Sequence, residues 1–118
     1  MNLKLYGLRK CSTCQKAMAW LDGERISYSF TDYSQQPLDK AQVAGWSKAL
    51  GGWEKMINRA GYTWRGLPKT QTANLTEAAA IALALKYPSL IRRPLIEYTD
   101  GSVTVGFADK VRKQIAGM

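Results

Sequence analysis

The residues of this 118-residue chain best suited to nucleophilic chemistry are two thiols, three positions apart in Cys11-Ser12-Thr13-Cys14. A pair at this spacing can carry out thiol–disulfide exchange: one thiolate attacks a disulfide sulfur, and the second attacks the mixed disulfide that results. Leu3, Leu5 and Tyr6 read as a short strand ended by Gly7, and helical periodicity takes over at Ser12, so Cys11 stands where a strand hands over to a helix. A helix start presents unpaired N–H groups and a positive dipole end, and both favour a thiolate. Cys14 lies one turn inward, in line with Ala17, Met18 and Leu21 on one apolar stripe. Cys11 is therefore the expected nucleophile and Cys14 the expected resolving thiol. The alternative is structural, two buried thiols acting as small hydrophobes, and it suits Cys14 better than Cys11.

The rest of the composition narrows the chemistry. There is no histidine, so the chain contains no Ser-His-Asp triad, Cys-His dyad, histidine metal cage or imidazole base. Two cysteines supply half of a tetrahedral zinc set, and no metal site is expected. Seventeen Lys and Arg against nine Asp and Glu leave a formal charge of +8, which favours anionic partners. The cations recur as Arg9-Lys10, Arg59, Arg65, Arg92-Arg93 and Arg112-Lys113, so a basic patch must be assembled by folding. No nucleic-acid reading motif accompanies them, and specific DNA binding is not expected. Arg9 and Lys10 flank the nucleophile directly, with no acid beside them in sequence.

The elements that must position these groups follow from pattern. After the first strand comes a helix over 12–24, then a half-buried strand in which Ile26, Tyr28 and Phe30 alternate with Ser27, Ser29 and Thr31. From Tyr33 to Leu90 the pattern is helical. Asp39 with Gln42 resembles a capping box for a helix reaching Leu50, which Gly51-Gly52 breaks; Trp53, Met56 and Ile57 suggest a short helix; 58–68 reads as loop; Thr76 caps a helix that stops before Pro88. Leu95–Tyr98 and Val103–Val105 read as strands joined at Asp100-Gly101, followed by a helix over 107–116. A βαβ unit (1–32) and a ββα unit (91–118) thus form one layered α/β domain with a helical insert at 33–90, because neither half can bury its sheet alone. Residues 1–10 lack the apolar core of a signal peptide, and no run approaches the ~18 apolar residues of a membrane span. The expected setting is a reducing cytoplasm, away from membranes. There, close cysteines serve as redox or metal groups rather than as a structural staple.

These residues also carry a family resemblance. Tyr6-Gly7, Lys10 to Cys14, Lys16-Ala17, Trp20-Leu21, Asn58-Arg59, Thr63-Trp64-Arg65, Arg92 to Leu95 and Val105 to Phe107 resemble, in order and spacing, the ArsC/Spx family, and most of all its YffB branch. The resemblance implies a thioredoxin-like fold with a mixed four-stranded sheet. It matches Cys11 to the catalytic cysteine, Arg59 and Arg93 to arginines that surround it, and Pro94 to the proline beside the active site, usually preceded by a cis bond. Lys10 and Thr13, bordering the cysteine, complete the expected substrate site. It further implies a monomeric thiol-disulfide reductase that binds no cofactor and uses glutathione as co-substrate, acting on glutathione or a protein thiol. The family alternatives are an arsenate reductase and a redox-sensing regulator that binds RNA polymerase. Against arsenate reduction, Gly106 stands where those enzymes resemble this chain but carry a third arginine, and their histidine ahead of the cysteine has no counterpart.

Overall fold

The computed structural model describes residues 2–118. It divides into two compact units: one made of the chain up to Gln36 together with Arg93–Met118, the other Pro37–Arg92. The first joins the two chain segments that carry the strands. β1 (Leu3–Gly7), α1 (Ser12–Gly23), β2 (Tyr28–Asp32), β3 (Leu95–Glu97), β4 (Val103–Val105) and α7 (Asp109–Ala116) build a four-stranded mixed sheet in the order β2-β1-β3-β4. β1 is central: it pairs parallel with β2, Leu5 opposite Phe30, and antiparallel with β3, Leu5 opposite Ile96. Parallel pairing requires a crossover, and α1 supplies it.

Alternation in β1 puts Leu3 and Leu5 into one cluster with Ile96, with Ala17 and Leu21 of α1, and with Val111 and Ile115 of α7. This is the layer that holds α1 against the sheet, and so fixes where its first turn lies. Phe107, expected inside the last helix, precedes it: Gly106 turns the chain with φ +80, and Phe107 drops edge-on against Trp20 at 5.7 Å before α7 begins. The second strand likewise starts at Tyr28 rather than Ile26. Arg25, at φ +56, ends α1 in a left-handed turn, with Arg25 N donating to Asp22 O and Ile26 N to Leu21 O. That is a Schellman closure, made by an arginine although Gly23 lies two positions away.

The second unit contains α2 (Lys40–Leu50), α3 (Trp53–Met56), α4 (Tyr62–Arg65), α5 (Lys69–Thr72) and α6 (Glu77–Lys86). Both expected caps are made: Asp39 Oδ1 accepts from Gln42 N at 2.7 Å, and Thr76 Oγ1 from Ala79 N at 3.1 Å. Gly51 ends α2 in the left-handed region, φ +92. Buried Ser47 on α2 donates to the Glu77 carboxylate at the start of α6. α4 falls where a loop was expected; Gly61 O and Tyr62 O accept from Arg65 N and Gly66 N, and a single turn is too short to show periodicity. The unit closes where the chain leaves it, Asn58 N donating to Leu90 O and Arg92 N to Met56 O. At the other boundary Tyr33 N donates to Gly7 O, so Tyr33 belongs with the sheet although its pattern placed it at the start of the helical segment. Among the described residues no helix is long and apolar enough to cross a membrane.

Candidate active site

The loop from β1 to α1 is short and tied down at several points. Cys11 N donates to Leu8 O at 3.0 Å, Gln15 Nε2 to Arg9 O at 2.9 Å, and Arg9 N to Oδ2 of Asp32, the last residue of β2, at 3.0 Å. Cys11 is the N-cap residue of α1, half-buried, with Gln15 N donating to its carbonyl at 3.0 Å. Its sulfur takes no conventional cap hydrogen bond, but it faces the first-turn N–H groups that sulfur can accept from at longer reach.

Four favourable interactions act on that sulfur against one that is not. Burial disfavours a Cys11 thiolate; the Cys14 N–H, the Arg93 guanidinium, the Cys14 thiol and the Thr13 N–H together outweigh it and hold the Cys11 pKa below the ordinary thiol value. The pair is then strongly asymmetric. Cys14 is 0% exposed, and its burial, opposed by the Leu8 N–H and reinforced by the charge of Cys11, pushes its thiol up to about 12. At neutral pH Cys11 is the ionisable partner and Cys14 a thiol that donates to it.

Arg93 enters from the segment before β3. Burial works against its positive charge, but hydrogen bonds to Cys11 and to Tyr33 more than offset that. The Arg93–Pro94 peptide is cis, Pro94 is fully buried, and Pro94 O accepts from Gly106 N at 3.0 Å. Cys11, Cys14, Thr13, Arg93 and Pro94 thus lie within one unit. Lys10 is exposed on the loop before Cys11. Arg59 belongs to the other unit, where its guanidinium lies over the Trp53 ring at 5.5 Å and Trp53 stacks on Trp64 at 6.2 Å.

Three features of the site were missed from sequence. Arg9 does not serve the thiol in the expected way: its guanidinium lies over Phe30 at 5.3 Å, and the topology brings Asp32 to its backbone although no acid is near in sequence. Tyr33, 4% exposed, hydrogen-bonds Arg93 and completes the cluster. The available signal was positional, since parallel β1 and β2 end side by side and residues just past both ends must meet. Gly7 was read only as a strand end, yet a Cβ there would stand 2.5 Å from Cys14 Sγ.

Residues 6–115 match the ArsC family. The chain belongs to the ArsC family. Among solved structures it is similar to the YFFB (PA3664) protein, 40% identical with a TM-score of 0.88, covering 95% of this chain and 96% of that one. It is similar also to an arsenate reductase (ArsC) related protein from Brucella melitensis, 36% identical, TM-score 0.78, covering 100% and 97%. Among curated proteins it resembles the global transcriptional regulator Spx 1 of Lactococcus lactis, 28% identical over 113 residues, 93% of this chain and 86% of that protein. The ArsC family includes arsenate reductases, and its thioredoxin-like architecture is the α/β sheet with helical insertion described above.

The asymmetric pair makes stability depend on pH in a definite direction. Cys14 rises from an ordinary 9.0 to about 12 and Tyr33 from 10.0 to about 12, both first through burial. Each folded-state pKa lies above its unfolded one, so the stabilising contribution is complete below pH 9 and is lost as pH rises towards 12. Urea unfolding midpoints are expected to fall steadily across that window. Cys14→Ala should flatten the lower part of the decline; an unchanged slope in that variant would remove Cys14 from the account.

Proposed function

We propose that the protein is a thiol-disulfide reductase of the cytoplasm that uses glutathione as its reducing co-substrate. The observation that carries this reading is the half-buried Cys11 thiol at the start of α1, held towards its thiolate by helix N–H groups and Arg93 beside a buried second thiol. In the first step the Cys11 thiolate attacks one sulfur of a glutathione mixed disulfide. A Cys11–sulfur bond forms, the original S–S bond breaks, and the displaced thiolate takes a proton from water. With glutathione left on Cys11, the second step takes one of two courses: a deprotonated glutathione attacks the glutathione sulfur and expels the Cys11 thiolate, or a deprotonated Cys14 attacks the Cys11 sulfur and expels glutathione as its thiolate. When glutathione is that thiol the oxidised product is glutathione disulfide; when Cys14 is, the product is a Cys11–Cys14 disulfide that glutathione must then reduce.

Burial of Cys14 favours the glutathione route. Its raised pKa falls once Cys11 is bonded and uncharged, but the largest cause, burial, persists. Arg93, with Lys10, Thr13 and Pro94 of the same unit, is assigned to binding the substrate: a guanidinium offers a planar fork to a carboxylate, and glutathione carries two. Arsenate reduction is the weaker assignment, because Gly106 supplies no cation where those enzymes carry a third arginine.

The test is to mix the reduced protein with a glutathionylated peptide, follow peptide release, and weigh the protein by mass spectrometry. A glutathione adduct on Cys11, with release far faster than an ordinary exposed thiol achieves, supports the reading. Release at the rate of free glutathione alone ends it. A second reading has one observation in its favour, the similarity to Spx 1 over 93% of the chain. Under it, the Cys11–Cys14 disulfide is a switch that controls binding to RNA polymerase. Co-purification with polymerase under oxidising but not reducing conditions would replace the reductase assignment.

A further inference from the structure

We propose that Tyr33 is a positioning residue that holds the Arg93 guanidinium on the Cys11 sulfur. The inference rests on the reading of Cys11 as a thiolate nucleophile. It concerns how that thiolate is maintained.

A long, rotamer-rich side chain lowers the energy of a neighbouring thiolate only for the fraction of time it stays beside it. Arg93 is half-buried, and its side chain has two partners in the cluster, Cys11 and Tyr33. The guanidinium is a planar set of donors, so it can give one N–H to a sulfur and another to a phenol oxygen, and the second contact limits the rotation of the first. Tyr33 is well suited to be the fixed end. It is 4% exposed, its backbone N donates to Gly7 O at 3.1 Å, and it follows directly on the Gly7–Asp32 pair that ends the parallel ladder. Gly7 in turn abuts Cys14. The Tyr33 backbone is therefore tied to the same strand end that packs on the cysteine pair, and its ring has only two torsions to fix.

The titratable groups around the contact are few. Cys11 and Cys14 come from α1, Arg93 from the segment before β3, and Tyr33 itself from beyond β2. Asp32, the neighbouring acid, is engaged by Arg9 N, Ser34 N and Ser34 Oγ. The hydrogen-bonded route from Tyr33 to Cys11 runs through Arg93, so most of the influence of Tyr33 on Cys11 should disappear when the guanidinium is removed.

The experiment measures the rate of Cys11 alkylation by iodoacetamide against pH in the full chain, with the modified site assigned by peptide mass spectrometry. Tyr33→Phe is expected to slow alkylation about threefold at a fixed pH below the midpoint, and Arg93→Gln about tenfold. The double variant should react no more slowly than Arg93→Gln alone. A Tyr33→Phe profile that superimposes on wild type overturns the proposal, as does an equal loss in the Arg93→Gln background. Should Tyr33→Phe fail to fold, the ¹³Cζ resonance of Tyr33 decides: it must move through the Cys11 titration in wild type and move much less in Arg93→Gln. A resonance indifferent to Arg93 overturns it. Alkylation needs no disulfide substrate, so these profiles can shift as expected even if glutathione mixed disulfides are not turned over, and the reverse.

Discussion

Cys11→Ser is expected to reduce turnover of a glutathione mixed disulfide by about a thousandfold or more. The hydroxyl that replaces the thiol does not ionise near neutral pH and forms no reducible bond to sulfur, and the other thiol of the first turn, Cys14, is buried with its pKa pushed up to about 12 and cannot substitute for it. Cys14→Ser should behave differently, staying within about tenfold of wild type when glutathione is plentiful. Serine keeps a donor facing Cys11, and the buried thiol it replaces is the poorer of the two resolving nucleophiles. Steady-state rates at several glutathione concentrations check both. If Cys14→Ser is as inactive as Cys11→Ser, the intramolecular disulfide is obligatory and the glutathione route falls. If Cys11→Ser retains most of its activity, the nucleophile has been misassigned.

Gly7→Ala is expected to destabilise the fold by about 1–3 kcal/mol, lowering the melting temperature by several degrees. The added methyl would lie 2.5 Å from Cys14 Sγ, well inside contact distance. Neither side can yield cheaply. Gly7 ends the central strand and its carbonyl accepts from Tyr33 N, while Cys14 shares the fully buried stripe of α1 with Ala17 and Leu21. Cys14→Ala removes the sulfur that the methyl would strike, so the double variant should recover much of the loss. Thermal melts of the four proteins test the cycle. Purely additive effects, or a Gly7→Ala melt equal to wild type, would mean that the contact is relieved elsewhere.

What could be read from sequence was local. The capping positions Asp39 and Thr76, the helix start at Cys11 and the stripe that buries Cys14 each depend on spacings within one or two turns, and all were legible. Arg93 and Pro94 came from family resemblance alone, because nothing in their own neighbourhood links them to a cysteine more than eighty positions earlier. Tyr33 needed the parallel pairing of β1 with β2, which pattern suggests without giving a register. Asp32 escaped for the same reason. The left-handed Arg25 and the single turn of α4 failed differently: one is a conformation its residue type seldom adopts, the other too brief for a period.

The central place of β1 also bears on how the chain comes together during synthesis. Tyr6 hydrogen-bonds Glu97, 91 positions later, and β1 is flanked by β3 along that edge. A ribosome releases the chain from its beginning, so the contiguous stretch Pro37–Arg92 is available to fold before the strand that completes the sheet exists. Until then Cys11 lacks Arg93, and Cys14 lacks the finished sheet over its helix. The two thiols are therefore made well before the residues that enclose them, and their exposure to oxidants is greatest while translation is still under way.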